Sequence, residues 1–120
     1  MKANELRLNN YVNNCGEIIT VDGIDDNDVF NKNIGEIPLH SIQPIQITEQ
    51  WLIVFGFEKK GDVFYNIPIK NKGILWVYLE REFCELGTIC GYSFAEIDCK
   101  HIHQLQNLHF ALTGTELSKK

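Results

Sequence analysis

Apolar positions in the first third of the chain come in short bursts separated by turn-forming residues. Leu6, Leu8 and Tyr11-Val12 lead into a turn at Cys15-Gly16, and Glu17-Ile18-Ile19-Thr20-Val21 is then rich in β-branched residues. Asp22-Gly23 and the polar stretch from Asp25 to Asp28 interrupt the pattern. Val29-Phe30, Ile34 to Leu39 and Ile42 to Ile47 follow as further short strands, punctuated by Asn33, Gly35, Pro38 and Pro44. Strands this short make a poor open sheet, because every edge exposes unpaired backbone groups. The pattern therefore predicts a small SH3-like β-barrel of five strands over residues 1–47.

A different period begins at Thr48. Its hydroxyl is placed to cap a helix by accepting from the amide of Gln50 or Trp51, and Glu49 puts a negative charge at the positive end of the dipole. Trp51, Leu52 and Phe55 would share the buried face, and Gly56 suits the left-handed position past the end, with Phe57 closing back onto Leu52. Val63, Tyr65, Ile67 and Ile69 then alternate onto one face, and Asn71-Lys72-Gly73 turns the chain into Ile74 to Leu79. That second run is apolar at every position, as in a central strand covered on both sides. Phe83 to Cys90 and Tyr92 to Ile97 supply further antiparallel strands, and a last helix runs from His101 to Thr113, ended by Gly114.

The expected class is therefore α+β: one domain of two lobes, the barrel over 1–47 and an antiparallel sheet with two helices over 48–114. Residues 115–120 form a polar tail. Trp51, Phe55, Tyr65, Trp76 and Leu105 are the expected core. On the last helix Ile102, Leu105, Leu108 and Leu112 fall on one stripe. The opposite face carries His103, Gln106, Asn107 and Phe110, spaced i, i+3, i+4, i+7. A large aromatic among amides has two readings. Either the helix is covered on both sides, or this face binds a partner protein or a second copy of the chain, with Phe110 as anchor.

Composition narrows the function. The chain has 120 residues, 44% of them hydrophobic, enough to fill a core. Eleven basic residues against 16 acidic ones give a net charge of −5, which argues against binding duplex nucleic acid. Met1 to Asn10 is polar, unlike a signal peptide, and the longest apolar run, Trp51 to Phe57, is far short of a bilayer span. Neither secretion nor membrane insertion is expected. In the cytoplasm Cys15, Cys84, Cys90 and Cys99 would be free thiols, and their spacing fits neither a CxxC motif nor paired zinc knuckles.

Five segments carry a resemblance. They are Leu6-Arg7-Leu8-Asn9-Asn10-Tyr11-Val12, Ile45-Gln46-Ile47-Thr48-Glu49-Gln50-Trp51-Leu52 and Phe55-Gly56-Phe57, then His103-Gln104-Leu105-Gln106-Asn107-Leu108 and Phe110-Ala111-Leu112-Thr113-Gly114. In this order they resemble a family of short uncharacterised proteins of gut anaerobes, often carried in prophages and other mobile elements. The likeness spans nearly the whole chain and is most specific at its C-terminal run. Residues 58–100, with three of the four cysteines, depart most from the family pattern. The resemblance implies a cytoplasmic setting and a phage-related context, and brings no activity, cofactor or catalytic residue.

The residues themselves assemble no catalytic set. Cys99-Lys100-His101-Ile102-His103 is the nearest thing to a metal motif. On a helix, however, residues two apart diverge by about 200°, so His101 and His103 cannot converge on one ion there. Glu80, Glu82 and Glu85 alternate with Arg81 as the solvated end of a strand. Asp22, Asp25, Asp26 and Asp28 lack the glycine and the bidentate glutamate of a calcium loop. The expectation is a noncatalytic protein-binding module without cofactor or metal. The alternative is a small enzyme or metal protein whose site forms from dispersed residues.

Overall fold

A computed structural model describes residues 1–69, 73–87, 93–117 and 119. The chain divides into two compact units: Met1–Gln46 with His101–Leu108, and Ile47–Lys100 with His109–Lys120.

In the first unit Cys15 and Gly16 both take left-handed backbone angles, φ 52° and 90°. Two such residues in succession match the right-handed twist of flanking strands, so a tight hairpin forms between β1 (Tyr11–Asn14) and β2 (Glu17–Thr20). Its register sets Val12 opposite Ile19, and both point into the core. β3 (Gly23–Ile24), β4 (Asp28–Asn31) and β5 (Gly35–Pro38) make a second antiparallel sheet in the order β3-β4-β5. After one 3-10 turn at Leu39–Ser41, β6 (Ile42–Gln43) returns to β1, completing a first sheet ordered β2-β1-β6. Val12, Ile19, Val29, Ile37 and Ile42 from both sheets form one buried cluster with Leu6, Val21 and Leu39 from the connecting segments.

The expected closed barrel does not form. Among the described residues no ladder joins the two sheets into a ring. β5 ends at Pro38, which has no N–H to offer, and β6 is only two residues long. Ile45 to Ile47, expected to extend that strand, does not. The Ile45 carbonyl instead accepts the Ile102 N–H at 2.8 Å, and Gln46 makes an isolated bridge with His101. The backbone that would close the ring receives the start of the last helix.

In the second unit α1 (Glu49–Val54) forms as its sequence signals indicate. Thr48 Oγ1 accepts the Trp51 N–H at 3.4 Å. Gly56 takes φ 92°, which lets the Phe57 N–H reach the Leu52 carbonyl at 2.9 Å and close the helix end. Leu52, Phe55 and Phe57 are buried, whereas Trp51 is half-buried, with the Lys119 ammonium 4.9 Å from its ring centre. β7 (Glu58–Lys59), β8 (Phe64–Ile69), β9 (Gly73–Tyr78), β10 (Phe83–Gly87) and β11 (Ser93–Asp98) follow. They form an antiparallel sheet ordered β11-β10-β9-β8-β7, with β9 at its centre as the apolar run indicated. Only one face of β9 is closed off. Leu75 and Val77 are buried, but Trp76 on the other face is half-buried, a correction to the expected core.

Cys84 and Cys99 lie inside this unit and are free, as is the exposed Cys15. The hydrogen bond with Cys99, and then burial, push the Cys84 thiol far above its ordinary pKa, so it carries almost no thiolate. Cys90 and the Asn71-Lys72 turn lie outside the described residues. Among those residues no helix is long and apolar enough to cross a membrane.

α2 (Ile102–Thr113) ends where Gly114 donates its N–H to the Phe110 carbonyl at 2.7 Å. Its buried positions are Ile102, His103, Leu105, Gln106 and His109. Leu108 and Leu112, expected in the core, are only half-buried. The covered face is thus rotated by roughly 90° from the leucine stripe. A polar side chain counts as solvent-facing in such a stripe unless its partners are known, and those of Gln106 lie almost a hundred residues away.

Candidate functional site

Two arrangements in the first unit involve the polar residues of α2. The first is a clamp of amides. Gln106, 1% exposed, accepts the Tyr11 N–H on Oε1 at 2.8 Å and donates from Nε2 to the Asn9 carbonyl at 3.0 Å. It pairs with the chain entering β1 as a neighbouring strand would. Asn107 accepts from Asn10 Nδ2 at 2.8 Å and from Arg7 Nε at 3.2 Å, and donates to the Glu5 carbonyl at 3.2 Å. Asn10 is fully buried, and its Oδ1 accepts the Arg7 N–H at 2.7 Å. Asn9 takes φ 75°, a left-handed turn that asparagine tolerates. The side-chain oxygen and nitrogen of both Gln106 and Asn107 are engaged by the N-terminal segment.

The second arrangement is a pocket of about 310 Å³, lined by Met1, Glu5, His40, Ile42, Gln43, Pro44, His101, His103 and Gln104. Local rules place each wall. A 3-10 turn at Ala3–Glu5 presents Glu5, whose backbone Asn107 holds. The turn before β6 presents His40, and β6 itself Ile42 and Gln43. At the start of α2 the Gln104 Oε1 accepts the His101 N–H at 3.0 Å, half of a capping box without a serine or threonine. That cap fixes the first turn and sets the His101 and His103 rings nearly parallel, 8° apart in plane with centres 5.8 Å apart.

Three of the chain's four histidines line this one pocket. His103 is the unusual one. It is 3% exposed, and its Nδ1 is buried without a hydrogen-bond partner among the described residues. Burial, and next the adjacent His101, push its pKa below the ordinary 6.5, against the pull of Glu5. A proton on Nδ1 would be a buried donor with no acceptor, so the neutral ring is cheapest with its hydrogen on Nε2. The unfolded chain protonates this residue more readily than the folded one does. Its contribution is complete above pH 6.5 and declines as pH falls from there toward the folded value.

The four residues singled out on the helix face have different surroundings. His103 walls the pocket, Gln106 and Asn107 hold the N-terminal segment, and Phe110, 37% exposed, belongs to the second unit. Glu5, His40, Gln43 and His101 were missed as pocket residues. The only sequence signal was the histidine pair at His101 and His103, weighed as a metal motif. Among the described residues no three His, Cys, Asp or Glu side chains are grouped so as to hold a metal ion. Comparison with known proteins returns no matching family model, curated protein or solved structure.

Proposed function

We propose that this protein is a noncatalytic, cytoplasmic binding module that holds a segment of a partner protein in the imidazole pocket of its first unit. One observation carries the reading: His103 is buried at the pocket wall with Nδ1 unpartnered. An unsatisfied buried polar atom costs about 1–3 kcal/mol, and a leucine at that position would avoid the cost. Sequences keep such groups where binding needs them. Strand order supports reading the first unit as an SH3-like meander left open. β2 and β3 are separated only by Val21 and Asp22, a 3-10 turn precedes β6, and the last strand lies beside the first. The alternative, a metal protein or small enzyme, has less support, because the three imidazoles and Glu5 share a pocket without forming a ligand group. The resemblance to proteins of prophages and mobile elements adds host or phage proteins as the natural partners.

The test is affinity capture from host lysate with wild-type and His103→Leu baits, both shown to be folded. The expected result is a protein retained by the wild type and lost from the variant. Equal capture by both baits contradicts the reading.

A further inference from the structure

The chemistry of the pocket selects its occupant, and this step rests on the binding reading above. Among the described residues no lysine or arginine lines the pocket, and Glu5 is part of its wall. His103 stays neutral, since a charged ring would bury an N–H without an acceptor. The whole chain carries −5, which favours approach of a positively charged segment. An acidic ligand would meet Glu5 as a like charge.

Shape then separates one cation from another. The His101 and His103 rings lie 8° from parallel, and of the two the half-buried His101 keeps ring surface that a ligand can reach. A guanidinium is planar, weakly hydrated and stacks on such faces while its N–H fork engages a carboxylate. A lysine ammonium is a compact, strongly hydrated point charge and gains little from a flat wall. Pro44, half-buried in the lining, gives apolar surface for the methylene stem of a long side chain. We propose that the pocket receives an arginine side chain from a basic segment of the partner, stacked on the His101 ring and ion-paired with Glu5.

Three blocked amino acids, Nα-acetyl-arginine, -lysine and -glutamate methylamides, are titrated into the full chain while the imidazole C–H signals of His101 and His103 are followed by NMR. The arginine compound should shift both rings saturably and bind more tightly than the lysine compound. Glu5→Gln, which keeps an oxygen for the Lys2 N–H at 3.5 Å, should weaken it roughly tenfold, the worth of one charge-assisted hydrogen bond. A preference for the glutamate compound, or arginine binding unchanged in Glu5→Gln, overturns the arginine proposal and leaves the pocket a binding site. No response from either ring to any compound also overturns it. The binding reading itself then stands or falls on the capture comparison between the wild type and His103→Leu.

Discussion

Phe55→Ala is expected to lower the free energy of unfolding by about 3–5 kcal/mol, a large part of what a domain of this size has. The ring is fully buried at the end of α1, with its centre 5.5 Å from that of Trp51. α1 is six residues long, too short to persist by backbone propensity, so its stability comes from the side chains it buries. Removing the aromatic takes away the packing and the reason for the helix together. Urea unfolding followed by tryptophan fluorescence would measure the loss. Trp51→Ala serves as the comparison, since that ring is half-exposed and should cost less. A Phe55→Ala loss under about 1 kcal/mol would mean that this helix is not held by its buried face.

Gln106→Ala should cost about 2–4 kcal/mol, and Gln106→Leu should not recover it. On a hydropathy argument leucine would be the better residue at a position 1% exposed. Here the side chain replaces a strand: without it the Tyr11 N–H and the Asn9 carbonyl lose their partners at 2.8 and 3.0 Å. Hydrogen exchange at the Tyr11 amide reports this directly and should accelerate in both variants. A leucine variant as stable as the wild type, with Tyr11 still protected, would show that the clamp is incidental.

Those two residues mark how far sequence reasoning reached. The α1 region was legible because its signals are local: Thr48, Glu49, Gly56 and Phe57 sit within ten residues and their roles follow from helix-end geometry. The hairpin turn at Cys15-Gly16 and the central place of β9 were legible for the same reason. Gln106 was not, because its partners at Asn9 and Tyr11 are far away in sequence, and an unpaired glutamine reads as a surface residue. The barrel was over-read. Five short strands are compatible with a closed ring or with two small sheets, and the choice was made by Pro38 and by the Ile45–Ile102 bond. The pocket was hidden because its histidines come from the turn before β6 and from the first turn of α2. No sequence spacing links His40 to His101 and His103.

If His103 is kept for a ligand and not for the fold, an apolar side chain in its place should stabilise the protein. The direct measurement is the unfolding free energy of His103→Leu against the wild type, taken from pH 7.5 down to 5.5. Leucine removes a buried atom without a partner, so the variant should be more stable at pH 7.5 by about 1 kcal/mol. The margin should widen on acidification, because the wild type alone loses stability as its unfolded chain takes up a proton below pH 6.5. A variant that is less stable than the wild type by several kcal/mol across this range would show that the imidazole packs the fold, and would contradict that expectation.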